Sequence, residues 1–256
     1  LISKAASQAA AHYKRFEKVR PNDMWQADFK GHFQMQNGER CYPLNILDDC
    51  SRFCLCSDAL RNETLGEVKP VFQRLFREYG LPFSLLCDNG NPWGTSQSMG
   101  YTAFEVWLME LGVLTIPGRP LHPQTQGKDE RYNRSFTREC LNVNSFLDIA
   151  DAQLKFDAYR SFYNNIRPHC ALDLNVPSAV FQKSEHPFPE KVIDWEYGPE
   201  YQRCKVSETG YFSYGGHRYF LSEGFRGKSI AVRESALPGQ ITLVFRQFRI
   251  GRIDLD

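Results

Sequence analysis

At 256 residues, 42% hydrophobic and 24% charged, the chain has the makeup of a globular protein with room for one large domain and a smaller one. No apolar run approaches the ~20 residues that span a bilayer and no signal peptide is visible, which excludes a helical membrane span. The net charge of +1 is uninformative about nucleic acid, but nine Lys/Arg against three Asp/Glu between Arg203 and Arg252, and five against two between Arg119 and Arg138, mark two basic stretches.

Residues 1–20, Ala-rich and then basic, read as a short helix or linker, and the start at Leu1 without Met suggests a fragment of a longer protein. From Trp25 the pattern is β-like through WQADFKGHFQM, RCYPLNILDDCSRF and CLCSDAL, with Asn37-Gly38 as a hairpin turn. Thr64 and Glu67 predict a capping box for a helix that buries Val68, Val71, Phe72, Leu75, Phe76 and Tyr79 and stops at Gly80. PFSLLCDNG predicts a short buried strand ending in a turn. Thr102 and Glu105 repeat the capping signal for a second helix with Phe104, Trp107, Leu108 and Leu111, and VLTIPGRP predicts another strand. Helices are expected over about 127–141 and 148–166.

Three strands, a helix, a strand, a helix, a strand and then helices is the element order of the ribonuclease-H-like α/β fold, a mixed sheet flanked by helices. We assign it to residues 21–185. After a Pro- and aromatic-rich connector, GYFSYGGHRYFLS, KSIAVRES and QITLVFRQFRIGRIDL predict a small all-β barrel within 186–256. The eight cysteines have no metal-ligand spacing, Cys54 and Cys56 being separated by one residue, and read as reduced thiols of a cytoplasmic protein.

Asp28 interrupts a core-forming strand with an acid, which is costly unless paired, solvated or bound to a cation. Asp88 stands where a buried strand ends in a turn, the usual place for a ligand-binding group in an α/β sheet. Glu130 lies on a helix just past Gly127. In this element order the first and fourth strands are neighbours, so Asp28 and Asp88 can converge and the helix can carry Glu130 over them. Three carboxylates so placed suit hard divalent cations. Composition alone leaves three acids among 30 a weak signal.

Motifs sharpen it. WQADFKG, LLCDNG and HPQTQGKDERYNRSF, in that order, resemble the integrase-core signature of bacterial insertion-sequence transposases, relatives of retroviral integrases, and YNNIRPHCALDLNVPSAVF is similar to the segment that closes that core. The resemblance runs from about Phe16 to Phe181. It implies an Asp-Asp-Glu triad at Asp28, Asp88 and Glu130 that is both catalytic and metal-binding, with Mg²⁺ or Mn²⁺ as cofactor, two ions per site when DNA is bound. The Asp88-to-Glu130 gap, 130 − 88 = 42, is longer than usual, with the surplus placed between Asn91 and Tyr101. Asp129 stands where an apolar residue is common. Adjacent helical residues point about 100° apart, so one of the two acids faces the site, and the resemblance selects Glu130. Thr137 replaces a frequent basic residue, which shifts the expected phosphate contacts to Arg134 and Arg138.

Further DNA contacts are expected from Lys128 and Arg131 beside the acids, and from Arg246 and Arg249 in the C-terminal block, where basic and aromatic residues interleave. Asp48 and Asp49 read as turn-forming groups, Arg167 and His169 as fold-closing hydrogen bonders, and Trp25 as core. The implied activity is DNA strand cleavage and strand transfer by phosphoryl transfer, in a bacterial, nucleoid-associated protein without membrane contact. Its partners would be transposon ends, target DNA and further copies of itself in a synaptic complex. Two alternatives remain: a nuclease of the same fold that only hydrolyses, and a catalytically silent DNA-binding protein.

Overall fold

The computed structural model describes residues 18–88, 90, 92–93, 100–117 and 127–255, so most of the expected N-terminal helix or linker and most of the surplus loop lie outside the described residues. The chain lays down β1 (Trp25–Phe29), β2 (Phe33–Gln34), β3 (Arg40–Asp48) and β4 (Cys54–Leu60), with β3 antiparallel to the other three. Gly38, at φ 85°, supplies the left-handed backbone of the turn before β3. After helix α1 (Leu65–Tyr79), β5 (Ser84–Cys87) pairs in parallel with β1, and after helix α2 (Ala103–Glu110), β6 (Leu114–Pro117) pairs in parallel with β5. The resulting six-stranded sheet has β1 at its centre between β3 and β5, as the ribonuclease-H-like order requires.

Each sheet face has its own core. Trp25, Ala27, Leu44 and Ile46 meet α1 and α2 through Phe72, Phe76, Phe104 and Leu108. All six predicted apolar residues of α1 are buried, each contributing roughly 1.5–3 kcal/mol. The opposite face is covered by α3 (Gly127–Phe136) and α4 (Ile149–Asn165), whose Tyr132, Phe136, Phe156 and Tyr159 cluster with Leu47 and Cys54. Helix α3 runs on into one wide turn over Thr137–Leu141, where Asn142 N–H donates to the Thr137 carbonyl five residues back. The Asn of the YNN motif seals β4: Asn164 accepts from Cys54 N–H at 2.8 Å and donates to Cys54 C=O at 2.9 Å.

One local expectation fails. The helix at Thr64 starts as predicted, but its hydroxyl donates to Asn62 Oδ1 at 2.5 Å and caps nothing. The acceptor two residues upstream turns the hydroxyl toward itself, so its oxygen is not presented to the first-turn N–H groups. At Thr102 the box is complete, Glu105 N–H donating to Thr102 Oγ1 and Thr102 N–H to Glu105 Oε2.

The expected all-β unit is a four-stranded antiparallel sheet and a hairpin around one core. The strands β7 (Gln202–Lys205), β8 (Tyr211–Tyr214), β9 (His217–Phe220), β10 (Ser229–Glu234), β11 (Gln240–Phe245) and β12 (Phe248–Asp254) pair as β12-β11-β10-β7 and β8-β9. The sequence patterning overlooks β7, whose four residues hold one buried apolar side chain, Cys204. This unit does not stand apart from the large sheet: Val106 and Met109 of α2 are members of its core. Tyr101 N–H donates to Ser222 Oγ, Ser222 O–H returns the bond to the Tyr101 carbonyl, and Tyr101 O–H reaches the Ile250 carbonyl. A Cβ on Gly224 would lie 2.1 Å from the Tyr101 carbonyl oxygen, so glycine is required for this approach.

Candidate active site

The register of two strand pairs builds the site. Parallel pairing of Ala27 with Cys87 sets Asp28 beside Asp88 at the carboxyl ends of β1 and β5. Antiparallel pairing places Asn45 opposite Asp28, and Ser57 opposite Asn45, so a polar row crosses three strands on the face under α3. Asp28 is half-buried and Asp88 exposed, with Gly90 N–H donating to Asp88 Oδ1 at 3.1 Å. Burial, reinforced by the negative charge of Asp88, pushes the Asp28 carboxyl up to about 6, against the opposing hydrogen bond from Asn133.

Helix α3 separates the two adjacent acids as helical geometry demands. Asp129 is 2% exposed, turned into the protein near Asp28 and Asp49, and burial holds its carboxyl well above the usual range. Glu130 is exposed and lines an open cleft of about 590 Å³ with Asp28, Lys30, Asn133, Arg134 and Arg138. Asp88 thus stands close enough to Asp28 for its charge to be felt there, while Glu130 shares the cleft with Asp28. Among the described residues, no three His, Cys, Asp or Glu side chains stand close enough to hold one metal ion. What the site offers is a set of oxygen donors in which two carboxylates oppose each other, a repulsion that a hard divalent cation relieves.

The expected DNA contacts divide. Arg131, Arg134 and Arg138 are exposed, the latter two in the cleft, and Arg138 also pairs with Glu139 at 2.6 Å. Lys128 is instead turned inward, its ammonium 2.6 Å from the buried Asp49, whose other oxygen accepts from Gln26. Arg246 is engaged by the connector: its guanidinium donates to the Ile193 carbonyl at 2.6 Å and lies over the Trp195 ring. Arg249 is exposed. Thr137 donates to the Asn133 carbonyl at 2.7 Å.

Asp48 serves its turn, accepting from Ser51 N–H and O–H and from Asn22 N–H. Arg167 pairs with Glu139 at 2.5 Å and His169 packs edge-on against Tyr163, both closing the fold. Trp25 is fully buried. The motif reading misses Lys30, Asn45, Ser57 and Asn133. One of them carried a clear signal in the sequence: Asn45 is a polar residue among the apolar Leu44, Ile46 and Leu47 of β3, where a buried partner is required.

Residues 18–123 and 111–177 each match an integrase core domain, and residues 202–256 match the C-terminal domain of the IS481 family of transposases. A 31.7 kDa protein of insertion element IS407 from Burkholderia multivorans is 30% identical over 165 residues, 64% of this chain and 56% of that protein. A putative transposase of insertion sequence element IS5376 from Geobacillus stearothermophilus is 27% identical over 179 residues, 68% of this chain and 44% of its own length. The chain spans about half the length of the curated relatives it matches. Among solved structures, a simian T-cell lymphotropic virus intasome in complex with a PP2A regulatory subunit superposes with a TM-score of 0.53 at 17% identity, covering 92% of this chain and 80% of that one, which shows a shared fold. With an integrase core followed by an IS481-type C-terminal domain, the chain belongs to the insertion-sequence transposases built on the retroviral-integrase fold.

Proposed function

We propose that this chain cleaves DNA at the ends of a mobile element and joins the freed 3′-hydroxyl to target DNA, with Asp28, Asp88 and Glu130 as the catalytic and metal-holding acids. The observation that carries this reading is the juxtaposition of Asp28 and Asp88 by strand register, at the mouth of a cleft that also holds Glu130 and two exposed arginines, Arg134 and Arg138. Bound divalent ions, Mg²⁺ or Mn²⁺ and two of them once DNA is present, would neutralise charge on the attacking and leaving oxygens.

The protein's own share is positioning. Asp28 sits on the central strand, and the pairing of Ala27 with Cys87 brings it next to Asp88, the first residue past β5. Arg134 and Arg138 line the same cleft, where a DNA phosphate backbone can lie beside the acids. Neither a nucleophilic side chain nor a covalent intermediate is needed, because an oxygen of water or of a DNA end attacks phosphorus directly.

In this reading residues 21–185 carry the chemistry and 186–256 hold DNA backbone, and two or more copies bring the ends together. Such a protein would work at the nucleoid of a bacterial cell; no helix among the described residues is long and apolar enough to cross a membrane. The test is a gel assay of the full-length protein with labelled terminal DNA of its own element, target DNA and Mg²⁺. Joined product is expected. Hydrolysis with no joined product would favour a nuclease of the same fold, and DNA binding without either product would identify a silent binder.

A further inference from the structure

We infer that Asn133 is a positioning residue for Asp28, and that its orientation is set by a buried hydrogen-bond relay through Asn45, Ser57 and Tyr132. Asn133 Nδ2 donates to Asp28 Oδ2 at 2.7 Å, and Asn45 Nδ2 donates to Asn133 Oδ1 at 2.7 Å. Ser57 O–H donates to Asn45 Oδ1 at 2.8 Å, and the Ser57 and Tyr132 hydroxyls lie 2.6 Å apart. A serine has one proton, already given to Asn45, so the last bond runs from Tyr132 to Ser57. Every link therefore donates toward the carboxylate. Asn45, Ser57 and Tyr132 are each no more than 1% exposed, so along this stretch water is kept from replacing a missing partner, and Asn133, 7% exposed, joins it to the cleft.

Register explains why these residues meet. Asp28, Asn45 and Ser57 are directly opposite one another across β1, β3 and β4. Asn133 and Tyr132 come down onto that row from the first two turns of α3, the helix that also presents Glu130 to the cleft. One helix thus displays one acid and, three residues on, orients another. An amide can turn either its N–H or its oxygen toward Asp28, and only the N–H suits a carboxylate. The observed order, Ser57 O–H to Asn45 Oδ1 and Asn45 Nδ2 to Asn133 Oδ1, occupies the amide oxygens and leaves the Asn133 N–H for Asp28, with Ser57 two residues away from any contact with the site. Chains of this kind strengthen each member by polarisation and fix one arrangement when fully satisfied.

The inference rests on Asp28 holding a divalent ion, and the experiment separates the two claims. Mn²⁺ alone is titrated into the full chain at pH 7.5, free Mn²⁺ being read by electron paramagnetic resonance, with a thermal melt of each variant. Asp28→Asn should abolish the site. Asn133→Ala should weaken Mn²⁺ binding by about 10–100-fold, the usual effect of removing the partner that orients a metal-holding group. Ser57→Ala should weaken it in the same direction by a smaller factor, and Ser57→Thr, which restores the hydroxyl, should return the wild-type value. Lower melting temperatures with unchanged Mn²⁺ affinity in Asn133→Ala and Ser57→Ala would reduce the relay to packing and overturn the inference. Unchanged affinity in Asp28→Asn would overturn the metal assignment beneath it, and the relay's role with it.

Discussion

Asp28→Asn should make the metal-free protein more stable while destroying its activity. In the folded protein the Asp28 carboxyl is pushed up to about 6 from an ordinary value of 3.8, chiefly by burial and next by Asp88. The folded state therefore binds the extra proton between these values, so stability falls as pH rises through this window and the cost is complete above it. The difference, 6 − 3.8 = 2.2 in pH, corresponds at about 1.36 kcal/mol for each tenfold step to roughly 3 kcal/mol. Because the cleft is open to solvent, about 2–3 kcal/mol is the expected effect. Asparagine keeps the shape and an acceptor for Asn133 Nδ2 but carries no charge. In a chain of this size the gain is worth roughly 4–12 °C in Tm. The assay is a pair of thermal melts with EDTA at pH 7.5 and at pH 3.5, where the two proteins should converge. Adding Mn²⁺ at pH 7.5 should raise the wild type, by an amount set by ion concentration over Kd, and leave the variant unmoved. An Asp28→Asn protein that melts lower than wild type at pH 7.5 without metal would refute the picture of a buried, opposed carboxylate.

Glu130→Gln should abolish cleavage and joining, whereas Asp129→Asn should remain substantially active, because Asp129 is buried away from the cleft that Glu130 lines; the reverse pattern in a strand-transfer gel would place the helix one residue out of register. Removing residues from Val192 onward should lower the melting temperature of what remains as well as DNA affinity, since Val106 and Met109 would lose their partners, and a truncated core as stable as the parent in a melt would show the two units to be independent. Gly224→Ala should destabilise by at least about 1–3 kcal/mol, read by thermal melt, because its methyl group would strike the Tyr101 carbonyl. Arg134→Ala and Arg249→Ala should each reduce the salt slope of DNA binding by about one, while Arg246→Ala should lower stability and leave that slope nearly unchanged.

Much of the fold was legible because it rests on local periodicity. The apolar spacing of α1 and the stop at Gly80, the hairpin at Asn37-Gly38 and the capping box at Thr102 are all decided within a few residues, and the structure has them as read. The three acids are proposed from motif order, and of their expected placement the structure has the adjacency of β1 and β5 that sets Asp28 beside Asp88. What escaped depends on partners far apart in the chain. Lys128 and Arg246 looked like free cations, but Asp49 and the Ile193 carbonyl, 79 and 53 residues away by number (128 − 49 and 246 − 193), engage them. Asn133 drew no reading of its own, and its contact with Asp28 spans 105 residues. The docking of α2 against the C-terminal unit was hidden for a similar reason: Val106 and Met109 lie outside the apolar stripe expected for that helix, and no short-range pattern says which core they enter.

The assignment of the three acids is tested most directly by locating Mn²⁺ through its anomalous scattering in crystals of the full-length protein with element-end DNA. The account predicts Mn²⁺ between the carboxylates of Asp28 and Asp88, with Glu130 swung in from α3 to complete the oxygen ligands and Asp129 still buried. Mn²⁺ held by Asp129 in place of Glu130, or bound away from Asp28 and Asp88, would contradict it.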